Sequence, residues 1–291
     1  MRFGIVVSDP DDWTARSLQA DLNKSGIDAG FLNFSELSAQ VGCDMAITCM
    51  KSNLTCLDGL IIRDLGQGTS QDMAFRFEVL RALQQLGLRV INPPEAIAAA
   101  ANKFATSIAM QRSGVPTPWT MATSSLDDAL AELERHGRLV SKPLYGYKGR
   151  GIQLITRDNA SALKAIMDEQ GMAYLQEFIE LSNPRDIRAF VVGDELVGAI
   201  YRVAPEGSWI SNLARGGSPQ ECRMTDELAD LAVRACHSVG AVYCGVDLLE
   251  TRGGLKVIEV NGTPSGKGIF DALGIDVCRK IANYVLCTCR E

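Results

Sequence analysis

Three oxygen-bearing side chains near the C-terminus, Asp247, Glu259 and Asn261, stand inside apolar runs that are typical of buried strands. These runs flank a Gly-Gly pair, which predicts a β-hairpin. Side chains alternate along a strand, so Glu259 and Asn261 share one face, and a three-residue loop at 252–254 would place Asp247 opposite Glu259. Burying a carboxylate in apolar surroundings costs free energy unless its charge is paired. A bound cation can pair with it, and oxygen ligands suit Mg²⁺ that is held jointly with phosphates. The pattern predicts a metal site; for any single one of these residues, a solvated sheet face is the alternative.

A glycine-rich segment at residues 145–151 lies between two predicted strands and carries basic side chains. Gly149 and Gly151 let backbone amides approach an anion, with Arg150 between them, and Lys142 precedes the segment in the first strand. A flexible loop of this kind can close as a lid over a nucleoside triphosphate. The spacing fits neither of the two common glycine-rich nucleotide-binding motifs, and an ordinary hairpin loop with solvated cations is the alternative.

Residues 176–180 predict a hinge between two parts of the chain, because an acidic-aromatic-apolar-acidic run ends a buried strand. The hinge backbone can pair with an adenine edge, and Glu180 can accept a hydrogen bond from a ribose hydroxyl. On the sequence alone, a half-buried strand end is the favoured reading of this run. Lys103, in an alanine-rich helix, is a further candidate ligand, with a solvated lysine as the alternative. The hinge candidates are Gln176, Glu177, Phe178, Ile179 and Glu180.

A set of arginines and their neighbours follows the hinge. Guanidinium groups have the fork geometry that suits carboxylate and phosphate recognition. Asp186 and Arg188 share one strand face, Arg202 lies on the next strand, and Arg215 lies beside a Gly-Gly loop. A solvent-exposed sheet face is the alternative for any single arginine. It accounts less well for several arginines that lie beside a set of carboxylates. The candidates are Asp186, Arg188, Arg202, Ser211, Asn212 and Arg215.

Composition excludes several classes of protein. The chain has 291 residues, 46% of them hydrophobic, and its net charge of −6 lacks the basic footprint of a general nucleic-acid binder. The two histidines, His136 and His237, support neither a histidine-rich zinc site nor a Ser-His-Asp set. The sequence contains no run of about 18 apolar residues, so no membrane span is predicted. Nine cysteines, an odd number without a CxxC pair, favour reduced thiols in a cytoplasmic protein. A homo-oligomer is compatible with the sequence.

The order of predicted elements indicates an α/β (α+β) protein with three subdomains. Residues 1–94 alternate strand and helix, which predicts a small parallel sheet. Residues 95–183 open with a single alanine-rich helix at 95–113 and continue as an α+β unit. Residues 184–291 contain two long strands, a helix, the hairpin and one final helix at 271–288.

Taken in order, these motifs resemble those of the ATP-grasp superfamily and, within it, the RimK-like α-L-glutamate ligases. The resemblance covers nearly the whole chain. It is carried by Ser-Lys142-Pro-Leu-Tyr-Gly with Gly149-Arg150-Gly151, Gln176-Glu-Phe-Ile, Asp186-Ile-Arg188, Ser211-Asn212-Leu-Ala-Arg215-Gly-Gly, Gly-Val-Asp247 and Glu259-Val-Asn261. Three segments look more like the branch that adds glutamate to tetrahydromethanopterin or related C1-carrier coenzymes: Arg63-Asp-Leu-Gly, Phe75-Arg-Phe-Glu-Val-Leu-Arg81 and Ala-Ala-Asn102-Lys103.

The resemblance implies an ATP-grasp fold with ATP clamped between the central and C-terminal subdomains. It implies that Lys103 and Lys142 contact phosphates, and that two Mg²⁺ or Mn²⁺ ions are bound at the C-terminal hairpin. The ligands implied for these ions are Asp247, Glu259 and Asn261. Around the phosphates and the substrate carboxylate it places Asp186, Asn212 and two catalytic arginines, Arg202 and Arg215.

The reaction that the resemblance implies is ATP-dependent amide formation. An acceptor carboxylate becomes an acyl phosphate, and the amine of L-glutamate then displaces phosphate; the acceptor is expected to be a small-molecule coenzyme such as tetrahydromethanopterin. Ile210 and the segment 262–268 depart from ribosomal-protein-modifying relatives, which bears on the acceptor. The alternatives are a ligase acting on a protein or peptide C-terminus and a non-catalytic ATP-binding regulator.

Overall fold

The computed structural model describes residues 1–42, 45–146 and 149–288. The strands are β1 Arg2–Val6, β2 Asp28–Leu32, β3 Leu37–Gln40, β4 Ala46–Cys49, β5 Ser52–Asn53, β6 Gly59–Ile62, β7 Arg89–Ile91, β8 Thr120–Thr123, β9 Arg138–Lys142, β10 Gln153–Thr156, β11 Ala173–Glu177, β12 Arg185–Val192, β13 Glu195–Val203, β14 Ser218–Glu221, β15 Tyr243–Thr251 and β16 Gly254–Asn261. The α-helices are α1 Trp13–Lys24, α2 Ser70–Gln85, α3 Pro94–Ala101, α4 Lys103–Arg112, α5 Leu126–His136, α6 Ser161–Gln170, α7 Asp226–Ser238, α8 Lys267–Leu273 and α9 Val277–Thr288.

The N-terminal part is built on a parallel sheet, as the sequence predicts, and its strand order is β2-β1-β6-β7. Helix α1 begins after Asp12, whose carboxylate accepts a hydrogen bond from the Ala15 amide. Thr69 and Asp72 form a reciprocal capping box at the start of α2. A separate antiparallel meander, β3-β4-β5, was not expected from the sequence.

The central part is an antiparallel sheet with the order β10-β9-β11-β8, covered by α5 and α6. The predicted hairpin between β9 and β10 is confirmed. This unit has a small apolar core of its own, which includes Leu133, Leu139, Leu163 and Leu175. Its packing is therefore independent of the larger cores in the rest of the molecule.

The C-terminal part is an antiparallel sheet with the order β14-β13-β12-β15-β16. One face, with Ile187, Val246 and Val260, packs on α7. On the other face, Phe190 and Tyr243 join a core that includes residues of the N-terminal sheet and of α9. The N-terminal and C-terminal sheets thus share one core, although they are far apart in the chain.

The predicted single helix at 95–113 is wrong, because the structure has two helices that meet at Asn102. The backbone of Asn102 is extended, with φ −96° and ψ 105°, and its side chain accepts hydrogen bonds from the amides of Phe104 and Ala105. Asparagine is among the best N-cap residues, so it starts a second helix instead of continuing the first. Helices α3 and α4 contribute Ala96 and Met110 to the core beneath the C-terminal sheet.

The predicted final helix at 271–288 is also wrong. Helix α8 ends at Leu273, and Gly274 then adopts a left-handed conformation with φ 67°. The chain restarts as α9, where Asp276 accepts hydrogen bonds from the amides of Cys278 and Arg279. A glycine at this position stops a helix because it enters the left-handed region without steric cost.

The subdomain boundaries at 94/95 and 183/184 stay predictions. Within the described ranges, no helix combines the length and apolarity needed to span a membrane. The described cysteines are free thiols, and Cys43 and Cys289 lie outside the described residues.

Candidate active site

One half of a face of the C-terminal sheet is polar. Paired positions on neighbouring strands project to the same side of a sheet. Asp186 pairs with Arg202, Arg188 pairs with Asp247, and Asp247 pairs with Glu259. This register lines up charged groups from β13, β12, β15 and β16. The expectations that Asp186 shares a face with Arg188, and that Asp247 lies opposite Glu259, are confirmed.

Asp247 is held by two arginines. Arg188 Nε and Nη2 donate to its two carboxylate oxygens at 2.5 and 3.0 Å, and Arg202 Nη2 donates to Oδ2 at 2.7 Å. Arg202 also makes a bidentate pair with Asp186, at 2.6 and 2.5 Å. Burial by itself would raise the pKa of Asp247, but the arginines outweigh it and lower that pKa to about 2. The carboxylate is therefore ionised at neutral pH.

A glycine makes room for this network. A Cβ on Gly245 would lie 3.2 Å from Arg188 Cδ and 3.1 Å from Pro264 Cβ. Real Cβ atoms seldom approach neighbours so closely, so a side chain here would push Arg188 away from Asp247. Gly245, two residues before Asp247, therefore leaves the space through which the Arg188 side chain passes.

The hairpin has the expected pairing of Asp247 with Glu259, but its loop differs from the one considered from the sequence. Its loop has two residues, 252–253, because Thr251 pairs with Gly254, and the three-residue loop considered from the sequence is wrong. A bulge at Ile258 supplies the missing residue and brings Glu259 opposite Asp247.

The same bulge determines the face of the sheet from which Lys256 projects. Strict alternation would put Lys256 and Glu259 on opposite faces, whereas the extra residue brings both to the polar face. Lys256 Nζ donates to Glu177 Oε1 of the hinge at 2.6 Å. Sequence reasoning missed this lysine, because the bulge that re-aims it has no clear signal in the sequence.

Lys103 lies at the first position of α4 and is 8% exposed. Its ammonium donates to Glu259 Oε1 at 3.2 Å and to the Gly146 carbonyl at 3.1 Å. The Lys103 amide donates to the Leu144 carbonyl. The break at Asn102 makes these contacts possible, because it places Lys103 at a helix start beside the base of the glycine-rich segment.

Lys142, at the end of β9, is buried and donates to Gln176 Oε1 at 2.7 Å. Burial lowers its pKa to about 8, an effect that Glu259 opposes and Lys103 reinforces. An ammonium bound to a neutral amide in a buried place lacks the anion that would stabilise its charge. This arrangement favours an anionic ligand at Lys142.

The hinge residues are held on both sides. The Glu177 amide donates to the Trp119 carbonyl, and Phe178 makes an edge-on ring contact with Trp209 at 5.6 Å. Glu180 is exposed and pairs with Arg138 at 2.8 Å. Ribose recognition by Glu180 stays a prediction.

The glycine-rich segment touches the loop after β13. Gly149 has φ +70°, and a Cβ on it would lie 2.6 Å from Asn212 Oδ1 and 3.5 Å from Arg215 Cγ. Asn212 and Arg215 belong to a short 3₁₀ turn in which Arg215 is exposed. Gly149 therefore lies against this turn. The lid predicted at 145–151 lies partly outside the described residues, because these omit 147–148.

The structure thus brings together most of the predicted site residues. Ser211 is buried and hydrogen-bonds to Asp186, and Asn261 accepts a hydrogen bond from the Thr263 amide. Arg215 is exposed, and Glu180 is exposed and pairs with Arg138, at the opposite end of β9 from Lys142. In the part of the chain that the structure describes, no group of three His, Cys, Asp or Glu side chains is arranged to hold a metal ion. The predicted set has two such residues plus Asn261.

The fold is shared with solved ligases. The ATP-grasp ligase PsnB, in a complex with a phosphomimetic variant of its minimal precursor, Mg and ADP, superposes with a TM-score of 0.77 at 19% identity, covering 98% of this chain and 97% of that one. This similarity shows that the chain has the ATP-grasp fold.

Sequence comparisons give the family. Residues 100–285 match the RimK-like ATP-grasp domain. A tetrahydromethanopterin:α-L-glutamate ligase of Methanosarcina acetivorans is 39% identical, over 98% of both chains, and one of Methanococcus maripaludis is 34% identical over 100% of both. The chain belongs to the RimK-like ATP-grasp family.

Proposed function

We propose that the protein joins L-glutamate to a carboxylate of a small-molecule coenzyme such as tetrahydromethanopterin, with ATP as the energy source. The observation that carries the proposal is that Lys103 and Lys142 lie against the polar half-face around Asp247 and Glu259. Full-length likeness to two tetrahydromethanopterin:α-L-glutamate ligases supports the choice of substrates.

The triphosphate would lie between Lys142 and the arginines of the C-terminal sheet. Among the described residues Lys142 forms no ion pair, and its ammonium donates to Gln176, so a phosphate oxygen would stabilise its charge. The hinge would hold the adenine, with Lys256 fixing Glu177. The proposed nucleotide-binding residues are Lys103, Lys142, Gly149, Arg150, Gly151, Gln176, Glu177, Phe178, Ile179, Glu180, Asp186, Arg188, Ser211 and Asn212.

Asp247, Glu259 and Asn261 would hold Mg²⁺, or Mn²⁺, as two ions. The residues fit a hard cation because they offer oxygen donors on one face. Each carboxylate already pairs with a positive group, so a metal ion would have to compete with the guanidinium of Arg188 and the ammonium of Lys103. When bound, the metal would neutralise phosphoryl oxygens during transfer. The magnesium in the solved ligase complex supports this choice.

Catalysis by this chain would consist of positioning and charge stabilisation. The acceptor carboxylate attacks the γ-phosphorus and releases ADP, and the amine of glutamate then displaces phosphate from the acyl phosphate. Arg202 and Arg215 would stabilise the transferring phosphoryl group and orient the substrate carboxylate. Closure of the glycine-rich segment on Asn212 would exclude water from the acyl phosphate.

The test is an acceptor screen. The protein is incubated with ATP, Mg²⁺, L-glutamate and either tetrahydromethanopterin or a peptide with a C-terminal glutamate, and ADP and product mass are measured. We expect ADP release together with glutamylated coenzyme. Glutamylation of the peptide alone would contradict the proposed acceptor, and nucleotide binding without ADP release under all conditions would contradict the catalytic role.

A further inference from the structure

We propose that Arg63 is a positioning residue of the active site: it holds the loop 262–266, through which the N-terminal sheet keeps Arg188 beside Asp247. This inference rests on the proposed function, because it concerns the turnover of that reaction. It goes beyond that function by giving the N-terminal part of the chain a role in the reaction, although Arg63 follows β6 in the other sheet.

The loop 262–266, which joins β16 to α8, lies at the carboxyl edge of the N-terminal sheet. In the strand order β2-β1-β6-β7, the connections after β1 and after β6 lead to opposite sides, so the topological switch point lies between these two strands. In open α/β sheets the crevice at this point commonly takes a ligand. Here a loop of the same chain contacts it, because Arg63, directly after β6, and Thr14, in the first turn of α1, both bind this loop.

Arg63 is a buried cation whose main contact is with the loop. Its side chain is 5% exposed, and Nη1 donates to the Pro264 carbonyl at 2.7 Å. Nε lies 3.6 Å from Asp12 Oδ1 and has no hydrogen-bond partner among the described residues. Burying a guanidinium with an unpaired donor costs free energy, so the stability of the sheet does not account for an arginine here. The bond to the loop does account for it.

Two further contacts fix the ends of the same loop. Asn92 Nδ2 donates to the Gly262 carbonyl at 2.6 Å, at the start of the loop. The Gly266 amide donates to Thr14 Oγ1 at 3.2 Å, at its end. Arg63 binds the middle of the loop between these two anchors. Its removal should therefore loosen the middle of the loop while both ends stay attached.

Pro264 connects the loop with the polar half-face of the C-terminal sheet. A Cβ on Gly245 would lie 3.1 Å from Pro264 Cβ and 3.2 Å from Arg188 Cδ, so the proline and the arginine flank the same glycine. Arg188 in turn donates to both carboxylate oxygens of Asp247. A shift of Pro264 would give Arg188 room to move away from Asp247. Arg63 therefore acts on the polar half-face through Pro264 and Arg188.

The experiment compares Arg63→Met with Arg76→Met, a matched control. Arg76 is also a buried arginine, and its Nη1 donates to the carbonyls of Leu65 and Gln67 within the N-terminal part. Both substitutions remove a buried guanidinium that binds backbone oxygens, but the loop 262–266 loses its partner in Arg63→Met alone. Hydrogen–deuterium exchange of the loop is measured without substrates. Initial rates give kcat of the folded fraction, and urea unfolding gives the stability.

We expect Arg63→Met to lower kcat about a hundredfold, as a misplacement of about 1 Å in an active site does. The amides of the loop 262–266 should exchange about tenfold faster than in wild-type protein, because the loop opens locally. Arg76→Met should also unfold at lower urea concentration, but its kcat and its loop exchange should stay within about twofold of the wild-type values. Arg63→Lys should restore most of kcat, because an ammonium still donates to the Pro264 carbonyl.

Equal kcat values for Arg63→Met and Arg76→Met would overturn the proposal, and so would an Arg63→Lys variant that is no faster than Arg63→Met. If Arg63→Met does not fold, Thr14→Val tests the same loop at its second anchor. Its kcat should fall about tenfold, and a wild-type kcat would overturn the proposal. Wild-type protein without ligase turnover would contradict the proposed function. Loop exchange at the wild-type rate in Arg63→Met would overturn this inference alone, because exchange needs no substrate.

Discussion

The two halves of one face of the C-terminal sheet have opposite environments on the same strands. Towards one end, Phe190 and Tyr243 are fully buried in the core shared with the N-terminal sheet. Towards the other end, Arg188 and Asp247 project from the same two strands and pair with each other. The side-chain direction is constant, so the difference comes from what covers each half.

Different structural elements cover the two halves of this face, and they account for the difference between the apolar half and the charged half. Helix α9 and the N-terminal sheet cover the apolar half and make it part of a large core. The central sheet, which packs around its own small core, faces the charged half through Lys142. We therefore expect the apolar half to determine stability, and we propose that the charged half binds the ligands; the following variants test this separation.

The largest effect is expected for Phe190→Ala in the apolar half. Truncating a fully buried phenylalanine should lower the free energy of unfolding by about 3–5 kcal/mol, through lost burial and a cavity. The kcat of the folded fraction should stay near the wild-type value. Urea unfolding and initial rates check this, with exposed Leu86→Ala as the control; a large loss of kcat with little loss of stability would break the separation.

Arg202→Lys in the charged half should act mainly on the reaction. Lysine cannot bridge Asp186 and Asp247 with a planar fork, so we expect kcat to fall about a hundredfold, equivalent to about 2.7 kcal/mol. The matched control is Arg234→Lys, an exposed arginine paired with Asp230 on α7. A near-wild-type kcat for Arg202→Lys would remove this residue from the active site.

The pH dependence of ATP binding should reveal Lys142. Because its pKa is lowered to about 8 in the free protein and phosphate binds the ammonium form, ATP binding must take up a proton above pH 8. The Kd for ATP should then rise with pH, by up to about tenfold per unit above pH 8. Calorimetry in two buffers of different ionisation enthalpy measures the uptake. Affinity that stays constant between pH 7 and pH 9.5, without proton uptake, would show that Lys142 does not bind phosphate.

The smallest effect is expected for Lys256→Met, which removes the ion pair with Glu177. Both partners are about one-third exposed, so the pair should contribute less than about 1 kcal/mol. We expect the KM for ATP to rise a few-fold with kcat unchanged, as measured by initial rates. An unchanged KM with a reduced kcat would contradict the role of Lys256 at the hinge and would indicate that it acts in the reaction instead.

Sequence reasoning found the charged half because its residues break a pattern. Carboxylates inside apolar strands are conspicuous, and alternation correctly predicts that Asp186 and Arg188 share a face. The ATP-grasp fold was implied by the motifs in order, and the similarity to PsnB confirms it, whereas the division into three subdomains stays a prediction.

Other features depend on tertiary structure and could not be read in advance. The bulge at Ile258 re-aims Lys256, and it arises where a two-residue turn must be reconciled with the pairing of Asp247 and Glu259. The helix break at Asn102 had a recognisable signal, since an N-cap residue stands before Lys103, but the surrounding alanines masked it. The meander β3-β4-β5 consists of short strands that lack clear alternation.

The most direct test of the central claim is the turnover of Glu259→Gln measured beside its unfolding free energy. Glu259 is partly buried and its partner Lys103 is nearly buried, so the neutral isostere, which keeps an oxygen for the ammonium, should lower the free energy of unfolding by about 1–3 kcal/mol. If this half-face is a metal-dependent ATP site, ATP-coupled glutamylation should fall by about a thousandfold. Undiminished glutamylation coupled to ADP release in this variant would contradict the account.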